Sequence, residues 1–186
     1  MIRRSPRPSN VGVLVVLVVA LLAWRVWQAY HDAVPAPPEN LPSGQYEVLR
    51  VVDGDTLLLT NHTRVRLIGV DAPESVKPEH PVEPWGPEAS EFTKQFINDR
   101  HVRLQFDKER EDQFGRTLAY VWVTDPKNGQ EKLLNEELLR AGMARPTLWY
   151  HFSDTMKRRF RKATEEAQRA GRGIWSSEKP PARNAA

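Results

Sequence analysis

Tyr46-Glu47-Val48-Leu49-Arg50-Val51-Val52, Asp53-Gly54-Asp55, Thr56-Leu57-Leu58-Leu59-Thr60, Asn61-His62-Thr63 and Val65-Arg66-Leu67-Ile68-Gly69-Val70 are the stretch from which the fold is read. Three β-rich runs separated by two clusters of turn formers predict a three-strand antiparallel meander. Pro73 stops the third strand, and Glu74 to Gly86 reads as a long proline-rich loop. Pro87 then suits a first helical position, and Ala89, Phe92, Phe96 and Ile97 mark one helical face. Val102, Leu104 and Phe106 alternate as a fourth strand, and Thr117 to Val123 reads as a fifth. Leu133, Leu134, Leu138 and Leu139 predict a short helix capped by Gly142. Met156, Phe160, Ala163, Ala167 and Ala170 line a longer one that ends at Gly171. The sum is an α+β, mainly β chain: a five-stranded Greek-key barrel of the OB type with about three helices, one option among several α+β folds. Such barrels serve enzymes and binding modules alike, so the fold does not choose between them.

Upstream of the barrel, Val11 to Trp24 is a run without a polar side chain, continued by Val26 and Trp27 past Arg25. Arg3, Arg4 and Arg7 precede it, and Trp24, Trp27 and Tyr30 suit an aromatic belt. The expected organisation is a basic tail (1–10), a hydrophobic transmembrane signal-anchor or signal peptide (11–27), a proline-rich linker (28–44), the folded domain (45–177) and a disordered tail (178–186). The excess of arginine before the apolar run places the folded domain on the extracytoplasmic side, anchored, or secreted if the segment is cleaved.

The chain has 186 residues and no cysteine, which excludes disulfides, thiolate zinc sites, iron–sulfur clusters and thiol nucleophiles. Its five histidines are scattered, so any metal is expected to be a hard cation held by carboxylates. The net charge of +3 is the sum of +2 over residues 1–44, −4 over 45–150 and +5 over 151–186, so the basic character lies at the ends. The basic face of the last helix (Lys157, Arg158, Arg159, Arg161, Lys162) is either a polyanion-binding surface or a solvated helix face.

Chemistry-bearing residues fall in a few places. Asp53 and Asp55 are two apart and share a face if the backbone stays extended; they read as an oxygen-ligand site or a plain turn. Arg66 sits inside an apolar strand and must find an anion or reach water. Asp71 and Glu74 flank Pro73 at the strand end, and a twist or bulge at Gly69 is needed for Asp71 to meet Arg66. Phe114-Gly115-Arg116-Thr117 is a turn that delivers a second arginine. Arginine forks suit a phosphate, a divalent cation polarises it, and a glutamate accepts a proton from water. The inventory fits phosphodiester cleavage better than acyl transfer.

Val52-Asp53-Gly54-Asp55-Thr56, Val65 to Glu74, Trp85-Gly86-Pro87-Glu88-Ala89-Ser90, Phe114 to Tyr120, Leu134 to Gly142 and Gly173-Ile174-Trp175 together resemble the staphylococcal nuclease (thermonuclease) family, in order over about residues 46–176. The resemblance implies an OB-fold nuclease that hydrolyses DNA and RNA with Ca2+ and leaves 3′-phosphates. It implies that Asp55 and Asp71 are the calcium carboxylates, that Ala72 gives a main-chain carbonyl, and that Asp53 lies just outside. It implies Arg66 and Arg116 as the phosphate clamp and Glu74 as the general base. Phe114 stands where the best-known member has tyrosine, and Tyr150 falls near a base-stacking position, so both are expected to bind substrate. The expected partners are nucleic acid and, through the N-terminal helix, a membrane, with no obligate protein partner. The other readings are a non-catalytic nucleic-acid-binding module of this fold and an envelope protein whose basic helix touches anionic lipid.

Overall fold

A computed structural model describes residues 10–33, 41–75 and 83–177. The chain divides into two compact units, one up to Ala36 and one from Pro37.

In the first unit, Asn10–Ala33 forms one helix, α1, which extends past the expected hydrophobic segment 11–27 at both ends. Its large apolar side chains from Val15 to Trp27 are exposed, and Arg25 interrupts them. Among the described residues no helix is long and apolar enough to cross a membrane, so the expected transmembrane span at 11–27 gains no support from the fold. The basic tail up to residue 9, linker residues 34–40 and the tail from 178 lie outside the described residues.

In the second unit the meander forms as expected. Strand β1 (Gly44–Asp53) pairs antiparallel with β2 (Thr56–Leu59), and β2 with β3 (Arg64–Leu67). β5 (His101–Gln105) pairs with β1 and with β6 (Thr117–Thr124), both antiparallel. A parallel pairing of β3 with β6, Val65 opposite Thr117 to Leu67 opposite Ala119, closes the barrel. The closed ring is therefore β1-β2-β3-β6-β5, the five-stranded barrel expected.

Three short strands were not foreseen. β7 (Glu131–Leu133) extends the sheet from β6, across the Asp125 to Asn128-Gly129 turn. β4 (Val70–Asp71) pairs with β8 (Arg145–Pro146). The expected third strand breaks in two at Ile68-Gly69, where Gly69 has φ +75° and an added Cβ would lie 2.6 Å from the Phe160 ring. Only glycine takes that backbone angle freely at so close an approach.

Helices α2 (Gly86–Phe96), α3 (Leu134–Arg140) and α4 (Asp154–Arg169) pack against the sheet and one another. The core gathers Leu57, Leu59, Val65 and Leu67 from the meander, Leu104 and Val121 from the second hairpin, and Leu134, Leu138 and Phe160 from the helices. Ala170, expected on the apolar face of α4, is exposed beyond its last turn. Asn135, fully buried, is the polar pin of closure. Its Oδ1 accepts from the Val121 amide at 2.9 Å and its Nδ2 donates to the Ile68 carbonyl at 2.9 Å, which fixes the end of β3 against β6.

Candidate active site

The end of the barrel where β3 turns into β4 carries most of the predicted residues. Asp55 has no exposed surface. Its Oδ1 accepts from the Arg66 guanidinium and from the Thr56 hydroxyl at 3.0 Å, and its Oδ2 accepts from the Ala72 amide at 2.7 Å. The second arm of Arg66 donates to Asp71 Oδ1 at 2.6 Å. One guanidinium thus bridges two carboxylates, one buried and one half exposed. The turn at Ile68-Gly69 makes this possible, as the sequence requires: it re-aims Asp71 towards the face that Arg66 occupies.

Burial pushes the Asp55 carboxyl up to about 6, against the lowering pull of Arg66 and the Ala72 amide. Burial also works against the charge of Arg66, but Asp55 and Asp71 outweigh it and hold its pKa above the ordinary value.

Asp53 and Asp55 do not share a face. The chain turns at Gly54-Asp55, and Asp53 is directed elsewhere: it accepts from the Gly54 amide at 2.8 Å, Ser75 at 2.7 Å and Ser90 at 3.3 Å. Gly54 fits because a Cβ there would lie 2.7 Å from the Ala72 Cβ and 2.8 Å from that of Ala89. Burial raises the Asp53 pKa, and the carboxyl of Glu74, within hydrogen-bonding reach, raises it further despite the Ser75 bond. The 74–75 loop is thereby tied to α2, where Ser90 meets Ser75 at 2.9 Å.

The second arginine is presented by a local device. Asp112 Oδ1 accepts from the amides of Phe114 at 2.9 Å and Arg116 at 3.0 Å, while its Oδ2 accepts from Arg116 Nε at 2.6 Å. Burial pushes the Asp112 pKa up, but these bonds more than offset it and leave it below the ordinary range. The Arg116 guanidinium lies 5.4 Å from the centre of the exposed Phe114 ring.

A cleft of about 550 Å³ joins the two arginines. Arg66 and Asp71 form one side, Asp112, Phe114 and Arg116 another, and Trp149, Tyr150 and Phe152 a third. Of the predicted residues it brings together Arg66, Asp71, Phe114, Arg116 and Tyr150. Asp55 and Ala72 stand behind Arg66, and Glu74 is turned towards Asp53 instead of lining the cleft.

Three contributors were missed in the sequence. Asp112 is four residues before Arg116, a spacing that could have flagged it. Asp107 accepts from Tyr120 at 2.5 Å and from the Ser153 amide at 2.8 Å, anchoring the 147–152 loop to the barrel; nothing local signals this. Trp149, exposed beside Tyr150 with ring centres 5.8 Å apart, adds an aromatic face.

Donor chemistry at the Arg66 bridge suits a hard divalent cation. Two carboxylates already converge on one point of positive charge, and all the available ligands are oxygens. Among the described residues no group of three or more His, Asp or Glu converges, so such an ion would draw on Asp55, Asp71, the Ala72 carbonyl and oxygens from water or substrate.

A closed five-stranded OB barrel with two arginine forks on one cleft defines a phosphate-handling OB-fold protein. The sequence profile described as "Staphylococcal nuclease homologue" matches residues 64–177. The chain is 38% identical over 170 residues to a thermonuclease of Staphylococcus hyicus, covering 88% of this chain and 96% of that protein. It is 44% identical over 133 residues to a thermonuclease of Staphylococcus intermedius, covering 70% and 75%. An SPbeta prophage-derived endonuclease of Bacillus subtilis is 40% identical over 131 residues, 68% of this chain and 42% of that protein. The chain belongs to the staphylococcal nuclease family, and with it to the phosphodiester hydrolases.

Proposed function

We propose that the chain is a Ca2+-dependent nuclease that hydrolyses DNA and RNA to 3′-phosphate ends. The observation that carries this reading is the presence of Arg66 and Arg116 on the walls of one cleft. Two planar forks there grip the non-bridging oxygens of a phosphodiester and stabilise the charge that builds on them. Ca2+, held by Asp55, Asp71 and the Ala72 carbonyl, supplies further neutralisation of the phosphate when bound. Glu74, which is turned towards Asp53 in this structure, swings into the cleft to act as general base: its carboxylate then takes a proton from water as the water oxygen bonds to phosphorus. The P–O5′ bond breaks and the departing oxygen takes a proton from solvent, leaving a 3′-phosphate and a 5′-hydroxyl. Asp53, tied to Ser75 and Ser90, anchors the loop that carries Glu74. Phe114 and Tyr150 offer apolar faces to the bases on either side.

The test is single-stranded DNA cleavage by the full chain, with Ca2+ and with chelator, beside Glu74→Gln. Turnover is expected to fall by roughly 10²–10⁴ in the variant while Ca2+ binding persists. Equal turnover removes Glu74 as the base. Nucleic-acid binding without cutting under any condition favours a non-catalytic module.

We also place the nuclease domain on the extracytoplasmic side, with segment 11–27 as signal-anchor or cleaved signal peptide. Arg3, Arg4 and Arg7 ahead of the apolar run support this. Recovery of the chain from the cytosolic fraction alone would count against it.

A further inference from the structure

Helix α4 carries six basic and three acidic side chains, and the sequence of its first half is one-sided: Lys157, Arg158, Arg159, Arg161 and Lys162 fall within six residues with no acid among them. Its core face is Phe160, Ala163, Thr164 and Ala167. Glu136 of α3 takes Arg159 in an ion pair, and Lys162 faces Glu166. Among the described residues Lys157, Arg158 and Arg161 make no ion pair; Arg158 donates only to the Thr155 hydroxyl, at 3.1 Å. This face begins at the cleft. Lys157 Nζ lies 5.1 Å from the centre of the Phe152 ring, and Phe152 lines the cleft.

We infer that the exposed face of α4 is a second phosphate-binding track, continuing from the cleft, that takes the backbone of a long nucleic acid beyond the scissile bond. This rests on the nuclease reading, since it names how the substrate of that same cleft is held. Nucleic acid fits the face better than anionic lipid does. A helix lying on a membrane needs large apolar side chains beside its cations. In α4 Phe160 is buried and Met156 is half-buried against the core, so no large apolar side chain stands exposed among the charges. The six residues Lys157 to Lys162 span about 9 Å, the reach of two or three successive phosphates of one strand. The track therefore acts on long substrates and leaves the shortest untouched.

The test compares the full chain with its R158Q/R161Q/K162Q variant, none of whose three positions touches the cleft. Affinity for a single-stranded DNA of roughly 30 nucleotides is followed against salt, and trinucleotide turnover is measured in parallel. The slope of log K against log salt is expected to become shallower by about 0.7 for each phosphate that is no longer neutralised, about 2 in all, with trinucleotide turnover unchanged. Single Arg161→Gln, should the triple variant lose helix by circular dichroism, is expected to change the slope by about 0.7, and R158K/R161K to leave it as it is. An unchanged slope in these Gln variants overturns the track. So does an unchanged slope with lost binding to phosphatidylserine vesicles, which would make the face a membrane surface. Failure of the nuclease reading looks different: the parent then turns over no trinucleotide, whatever the salt slope of the long DNA.

Discussion

The two arginines of the cleft are the same side chain held by opposite means. Arg66 projects from strand β3 into a half-buried position between the buried Asp55, eleven residues before it, and Asp71, five after it across a glycine turn. Arg116 stands in a half-exposed turn, held by Asp112 four residues away, whose carboxylate also caps the turn amides. The first is tied to the fold's interior through Asp55 and the second is an appendage of a loop. The contrast teaches that a phosphate clamp can join one jaw on which the fold depends to one on which it does not, and that the two jaws should respond differently to the same replacement.

Arg66→Ala should have the largest effect. It leaves the fully buried Asp55 carboxyl without its counter-charge, to stay charged alone or take up a proton, a loss of about 3–5 kcal/mol in unfolding free energy, together with cleavage activity. Urea unfolding at neutral pH measures the first; a loss below about 1 kcal/mol, the range of exposed pairs, would erase the distinction between the jaws. Arg116→Ala should instead change stability by no more than about 1 kcal/mol while turnover falls by about 10²–10³. Loss of activity with full retention of the melting transition sharpens the comparison, and a large loss of stability breaks it.

The smallest effects separate the two jaws by sign. Asp55 binds its proton more tightly in the native state, so its contribution lowers stability as pH rises from the ordinary aspartate value of 3.8 to about 6. Asp112 binds its proton less tightly when folded, so its contribution is present above 3.8 and is lost as pH falls through its lower native pKa. Unfolding free energy measured from acid to neutral pH should therefore lose a decline in Asp55→Asn and an acid-side rise in Asp112→Asn. Changes of one sign in both variants would place the two carboxylates in the same kind of environment.

Much of the fold was legible because its signals are local. Alternating apolar residues, Asp-Gly and Asn-His-Thr turns, Pro87 and Gly142 each act within a few residues, and the barrel order of the meander follows from them. The short strands β4 and β8 were not legible, because Val70-Asp71 and Arg145-Pro146 form a ladder only with each other. The need for a twist at Gly69 was legible from the opposed facing of Arg66 and Asp71. The pairing of Asp53 with Ser75 and Ser90 was not, because it joins a turn, a loop and a helix distant in the chain.

By itself the sequence determined the inventory of the site: two arginines, the carboxylates at strand ends, and no thiol or histidine pair to do other chemistry. It also determined the strands and turns that present them. Only the tertiary structure decided which of these meet. Closure of β3 on β6, pinned by Asn135, brings the Arg66 turn beside the Arg116 loop, and Asp107 brings the 147–152 loop to complete the cleft. The physical reason is range. Propensity and turn chemistry reach a few residues along the chain, whereas a half-buried guanidinium takes whichever carboxylates the closed barrel sets within hydrogen-bonding distance, and the ion pairs then hold them there.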